Sequence, residues 1–282
     1  MQVRPGPAKV RMMPSLPRPR PRCRRPETSA PKPARQTRGR ARRPRCGTVR
    51  SFVCTAPKPF MPLVQPLPTD HDTTVAELAQ FFNTTLGFPP HSVLTMLRRP
   101  ALARAFTELN RAVMADGGAD LPSAKGAAGR VTGELKRLIG HIASRVAGCR
   151  YCEAHTIRAA AHFGRQEGAA PERLDEVWNF RHSALFTPAE RAALEYAAAA
   201  ASVPGAVTAE IGQTLRQHWD DGEIVEITGV IALFGFLNRW NDAMATELEA
   251  PAAADGQRWL GARGWAAGKH GQPGEPSGGA ST

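Results

Sequence analysis

Strand-forming runs are nearly absent from this 282-residue chain. Also missing is any apolar stretch near the roughly 18 residues that a membrane helix requires. The longest candidate, residues 229–237, is about half that length, so a membrane span is not expected. The N-terminus shows no apolar stretch followed by a small-residue cleavage site, and a cytoplasmic location is expected. Cysteine is scarce: there are five, three of them (Cys23, Cys46 and Cys54) near the start and only Cys149 and Cys152 beyond. An extracellular disulfide framework would spread its cysteines through a short chain, and that is excluded.

Charge is unevenly spread. Residues 1–60 hold 17 of the 37 Lys and Arg and a single acid, Glu27, so this head carries +16 and the remainder −4. The head also holds 12 of the 25 prolines and no apolar periodicity, so it cannot bury enough surface to offset the entropy of ordering. A disordered basic segment is expected over 1–60. Three readings of it stay open: a polybasic arm for nucleic acid or anionic surfaces, an Arg-rich targeting segment, or a stretch upstream of a true start at Met61. Arginine runs without interleaved aromatics are a weak signal for nucleic acid, so none is expected as a partner.

Helix starts, stops and periodic faces recur from about residue 72 to residue 248, which predicts an all-α domain over 61–250. Asp72 or Thr73 caps a first helix that Gly87 ends, Ser92 opens a second that stops near Pro100, and a third runs from there to Gly117. Residues 116–130 read as a small-residue loop. The next helix carries Leu135, Leu138, Ile139, Ile142 and Val146 on one face and ends at Gly148. Another begins at the cysteines and is expected to end at Gly164. Pro171 begins a short helix, Thr187-Pro188-Ala189-Glu190 is a capping box with proline in the first turn, and Thr208 starts a helix reaching Asp220. The segment 223–237 is apolar on nearly every side, which for a helix means burial in a bundle or at a subunit interface. Glu226 within it is expected to be paired or turned to an edge. Residues 251–282 read as an irregular extension in which Trp259, Leu260 and Trp265 could dock on the core.

The chemistry lies in Cys149-Arg150-Tyr151-Cys152. A C-x-x-C opening a helix brings both sulfurs to the positive end of the helix, where thiolates are stabilised. Cys149, Cys152, Thr156, Ala159 and Phe163 share a stripe, and the pair can close a disulfide without unwinding the helix. His155, one turn beyond Cys152, could take the thiol proton. A zinc site using Cys149, Cys152 and His155 is the competing reading, but it lacks a second cysteine cluster. An inert buried pair is a third. Redox chemistry is favoured, with no cofactor beyond a redox-active Cys149–Cys152 disulfide.

The runs Glu134-Leu135-Lys136-Arg137-Leu138-Ile139 and Gly148-Cys149-Arg150-Tyr151-Cys152-Glu153-Ala154-His155-Thr156 resemble the carboxymuconolactone decarboxylase and AhpD-like alkylhydroperoxidase family. Residues 188–194, 223–227 and 238–241 resemble its C-terminal half. The resemblance spans roughly residues 75–248. It implies an AhpD-like helical bundle, homo-oligomers, and a dithiol cycle that reduces hydroperoxides with Cys152 as the peroxidatic sulfur and Cys149 as the resolving one. A dithiol or protein reductant then restores the pair. Two departures touch the proton relay: Arg137 stands where the family peroxidases have a glutamate, and His155 lies three rather than four residues after the second cysteine. On the helix before the cysteines, Glu134 and His141 share a flank, so His141 oriented by Glu134 is the expected substitute relay, with His155 against Cys152. The competing functions are a non-enzymatic C-x-x-C redox sensor and a lactone decarboxylase, the latter having no need of the cysteine pair.

A chain beginning at Met61 is expected to match the full chain in thermal melting and in peroxide turnover. A clear loss of either in the short form would show that the basic head is part of the working molecule.

Overall fold

A computed structural model describes residues 61–114 and 131–271. The basic head 1–60, the loop read at 116–130 and the tail from 272 lie outside the described residues. Among the described residues the chain forms ten α-helices and no strand: α1 (Thr73–Leu86), α2 (His91–Met96), α3 (Pro100–Met114), α4 (Gly133–Ala147), α5 (Arg150–Glu167), α6 (Glu172–Glu176), α7 (Pro188–Ala201), α8 (Ala209–His218), α9 (Asp221–Met244) and α10 (Ala250–Leu260). The boundaries follow local chemistry. Asp72 accepts from the Val75 amide at 2.8 Å, Thr132 caps α4, and both Thr187 and Asp220 form reciprocal capping boxes with glutamates three residues on.

Helix α4 is the central element, packing on α5, α7 and α9. Leu135, Leu138, Ile139 and Ile142 are buried as the periodicity predicts, but Val146 is half-exposed because α4 ends one residue later. The burial extends well beyond that stripe, to Glu134, Lys136, His141 and Ser144. Two glycines let the neighbours approach. A Cβ on Gly140 would lie 2.3 Å from the Phe234 ring of α9, and one on Gly164 would lie 3.2 Å from the Glu134 carboxylate. Gly164 is therefore a packing residue inside α5. That helix continues to Gly168, whose φ of 73° provides the left-handed cap expected at Gly164.

The first three helices form a second apolar cluster, with Val75, Phe82, Met96, Leu97 and Phe106 closing around Leu233 of α9. Glu226 of α9 is paired, as expected: its carboxylate lies 2.6 Å from the buried Lys136 ammonium. The segment after Pro251 departs from the irregular extension expected. Residues 250–260 are helical, α10 packs on α5, and Trp265 and His270 are buried behind it. Pro251 lies in the first turn of α10, where its missing N–H has no cost and its fixed φ suits the helix.

Helix α9 keeps part of its apolar circumference outward: Val225 is 71% exposed and Phe236 38%. Light scattering at micromolar concentration is accordingly expected to give a mass above the 30.4 kDa of one chain. A purely monomeric signal would show that this face is left to water.

Candidate active site

Cys149 is the N-cap of α5, and its sulfur accepts the amide N–H of Cys152 at 3.5 Å. The two cysteines are free thiols, with exposures of 0% and 2%. They differ in what they face. Cys152 lines a cavity of about 410 Å³ together with Phe82, Phe106, Phe163, Phe234 and Leu237, whereas Cys149 does not reach it. Asn241 of α9 donates from Nδ2 to the Cys152 sulfur at 3.4 Å.

Burial first, and then the adjacent Cys149, push the Cys152 thiol well above its ordinary pKa, while Asn241 pulls the other way. The expectation that the helix N-terminus would yield a ready thiolate is not met at Cys152. Dehydration outweighs the dipole, and the Cys152 amide is directed at the Cys149 sulfur.

His155 also lines the cavity, but its closest bond is to a residue that the sequence reading passed over. Its Nε2 lies 2.7 Å from Oε2 of Glu249, the N-cap residue of α10. The other oxygen of Glu249 accepts the Tyr151 hydroxyl at 2.8 Å and the backbone N–H of His91. The Tyr151 and His155 rings stack with centroids 4.3 Å apart. Burial would raise the pKa of Glu249, but His155 and His91 more than reverse this and hold it at about 2, so the carboxylate is ionised. Burial and then Glu249 push the Tyr151 phenol well above its usual range, which makes it a neutral donor. Behind Glu249, the Leu248 amide donates to the His270 carbonyl at 2.8 Å, so the last described residues hold the carboxylate in place.

The substitute relay is not formed. The Glu134 carboxylate is bound by Arg173, with Nε 3.1 Å from both oxygens, and does not bond His141. His141 is fully buried, with Nδ1 3.1 Å from the Thr156 hydroxyl and 3.3 Å from the Glu153 carbonyl and Nε2 without a partner. It does not line the cavity. Thr156 in turn donates to the Cys152 carbonyl at 2.7 Å, so His141 buttresses the first turn of α5 from behind. The shared flank of Glu134 and His141 is real, but α4 is buried nearly all round and its two ends meet different neighbours. Arg137, at the position of the family glutamate, does line the cavity. Among the described residues no group of three or more His, Cys, Asp or Glu could hold a metal.

Helices, cavity and cysteine pair together define an AhpD-like fold with a C-x-x-C at the head of a core helix. The profile of the carboxymuconolactone decarboxylase family matches residues 100–199. The crystal structure of the debrominase Bmp8 superposes with a TM-score of 0.59 at 31% identity, covering 69% of this chain and 96% of Bmp8. A cysteine-to-alanine variant of Bmp8 in complex with 2,3,4-tribromopyrrole gives 0.60 at 30% identity. A peroxidase-related protein with an AhpD core from Ralstonia eutropha JMP134 gives 0.53 at 21% identity over 98% of its length, a likeness of fold alone. The Escherichia coli (strain K12) protein YnjA is 32% identical over 103 residues, and the chain spans only 56% of its length. The chain belongs to the carboxymuconolactone decarboxylase family.

Burial lowers the pKa of His141 to about 4, against an ordinary 6.5. The unfolded chain therefore binds the proton first as pH falls, and stability is lost between about 6.5 and 4. The loss at this one residue is about 3 kcal/mol across that window. Denaturant melts of His141→Asn are expected to show a flatter acid limb by that amount. An unchanged limb would mean that His141 is not the group titrating.

Proposed function

We propose that the chain is a dithiol-dependent reductase of apolar organic hydroperoxides, with Cys152 as the attacking sulfur. The observation that carries this reading is the asymmetry of the pair: Cys152 lines the apolar cavity, and Cys149 caps the helix directly behind it. His155, its Nε2 held by the Glu249 carboxylate, takes the proton from the Cys152 thiol as substrate enters. The thiolate attacks the peroxide, the O–O bond breaks, and the alcohol leaves with a proton while Cys152 becomes the sulfenic acid. The Cys149 thiol attacks that sulfur, water leaves, and a disulfide forms. A dithiol reductant supplies two electrons and two protons to restore both thiols. Asn241, as a donor to the Cys152 sulfur, stabilises the thiolate in passing. Glu249 is a positioning residue that acts through His155.

A second reading, reductive dehalogenation, is favoured by the similarity to Bmp8 along 96% of that protein. Here the Cys152 thiolate would take a halogen from an aromatic ring, the ring carbanion would gain a proton, and Cys149 would expel halide from the sulfenyl halide to give the same disulfide.

The two are separated by giving the reduced protein cumene hydroperoxide or a polybrominated pyrrole, each with dithiothreitol, and following peroxide loss or bromide release. Hydroperoxide turnover is expected. Cys152→Ser should abolish it, and reduced Cys149→Ser freed of dithiothreitol should reduce about one equivalent and stall at the sulfenic acid. His155→Ala should slow it roughly a hundredfold, and Glu249→Gln roughly tenfold in kcat with KM little changed. Peroxide loss no faster than with Cys152→Ser would defeat the first reading, and bromide release in the same assay would put the second in its place.

A further inference from the structure

The side chain of Asn241 has two polar ends, and the protein itself engages only one of them. The residue lines the cavity from α9 and is 1% exposed, with Nδ2 donating to the Cys152 sulfur at 3.4 Å. Its Oδ1 is buried and has no protein partner. Among the described residues, buried side-chain polar atoms without a partner also occur on His141, Trp178, Asn238, Thr246 and Trp265, but none of these residues lines the cavity. The neighbouring hydroxyls are already directed elsewhere: Thr156 donates to the Cys152 carbonyl at 2.7 Å and Tyr151 to Glu249 at 2.8 Å. A buried carbonyl oxygen that meets no donor has lost its hydration without compensation, and here it lies beside the attacking sulfur.

The orientation of the amide follows from the chemistry of the sulfur. A thiolate accepts hydrogen bonds and donates none, so once Cys152 ionises the N–H end of Asn241 must face it and the carbonyl end must face something else. The two ends of a carboxamide are one carbon apart, so a group that donates to Oδ1 lies next to the sulfur that Nδ2 touches. We propose that Oδ1 of Asn241 accepts the O–H of the bound hydroperoxide, so that one side chain holds both the sulfur and the oxygen it attacks. The substrate class thereby narrows to peroxides with a hydrogen on the attacked oxygen, ROOH and not ROOR. This rests on the hydroperoxide reading above and gives Asn241 a substrate-recognising role besides its contact with the thiolate. The step balances: sulfur bonds the outer oxygen, the O–O bond breaks, and that oxygen keeps its hydrogen in the sulfenic acid. The alkoxide takes the proton that His155 removed from the thiol. Oδ1 accepts the same O–H before and after the transfer, so the amide need not turn during the reaction.

Replacing the inner oxygen of cumene hydroperoxide by CH2 gives 2-methyl-2-phenylpropan-1-ol, an inert isostere whose methyl ether lacks only the donor hydrogen and carries one more methyl group. Kd for alcohol and ether is to be measured by calorimetry with the reduced wild type and with Asn241→Leu. The added methyl group contributes in both proteins, so the ether-to-alcohol ratio of the wild type divided by that of the variant isolates the hydrogen bond. That quotient is expected to be roughly tenfold, the worth of one buried hydrogen bond. A quotient near one overturns the proposal. Methyl methanethiosulfonate has no O–H or N–H, so its rate with Cys152 reads the thiolate alone. Asn241→Leu is expected to slow that reaction about tenfold and the reduction of cumene hydroperoxide about a hundredfold, one hydrogen bond against two. Equal slowing of both reactions also overturns the proposal. If no hydroperoxide is turned over but the binding quotient is tenfold, the peroxidase reading fails while the O–H acceptor site stands. Turnover without the quotient leaves the peroxidase reading and removes the site. Thermal melting shows whether the leucine disturbs α9, in which case Asn241→Ala takes its place in both measurements.

Discussion

The structure turns on one constraint: α4 is buried around most of its circumference, yet it carries Glu134, Lys136 and His141 inside. A buried charge without a partner costs several kcal/mol, so each of these side chains dictates a neighbour. Lys136 draws in Glu226 of α9. Glu134 draws in Arg173, which also binds Glu190 at the start of α7. One guanidinium thereby ties α4 to α6 and α7. The two carboxylates are not equally served. Burial keeps the pKa of Glu134 raised despite Arg173, whereas Arg173 and the Thr187 amide together outweigh burial at Glu190 and bring it below its ordinary value. His141 needs no counter-ion because burial leaves it neutral, and a hydroxyl and a carbonyl from α5 suffice.

These pairings fix where α5 begins. With Gly164 pressed on Glu134 at one end and Thr156 on His141 nearer the other, α5 has little freedom to slide or rotate against α4. Its first turn is what carries Cys149 and Cys152, so the ionic arrangement around α4 decides which sulfur faces the cavity and which is covered. The partner helices complete the setting, α9 through Asn241 and α10 through Glu249. Asn241 of α9 thus meets the buried thiol of α5 directly, and the N-cap of α10 holds His155, which lines the same cavity.

Where the information is local, it could be read along the chain. Thr187 and Asp220 sit next to the glutamates that complete their caps, Gly87 and Gly148 follow the last apolar residue of their helices, and the buried face of α4 repeats at helical spacing. The cysteine pair and its histidine are likewise within seven residues of one another. What escaped was set by distance. Glu249 lies 94 residues beyond His155, and no spacing connects them. The one available signal was Glu249-Ala250-Pro251, with proline where the first turn of a helix accepts it, and reading residues 251–282 as irregular passed over the helix that it opens. The Glu134–His141 pairing erred for the opposite reason. A shared flank fixes direction around the helix axis, but not which neighbour arrives at each height.

The burial of Cys152 sets its own condition on any chemistry proposed for it. A thiol raised well above its ordinary pKa is mostly protonated at neutral pH, and the thiolate is the nucleophile. Solvent alone therefore does not ready it, and the groups that can must already stand in the cavity, as His155 and Asn241 do. The same burial works on selectivity. Because Cys149 has no exposure and Cys152 almost none, a reagent reaches sulfur only by passing the aromatic walls, and the first sulfur it meets is Cys152. On the proposed reading the cavity, more than the intrinsic reactivity of the pair, governs which molecules are reduced. A polar peroxide gains little by leaving water for such a passage, whereas an apolar one gains about 25 cal/mol for each Å² of surface it buries there. On the proposed reading, a resting thiol kept protonated and a preference for apolar substrates are two consequences of one arrangement, the withdrawal of Cys152 from solvent into an apolar cavity.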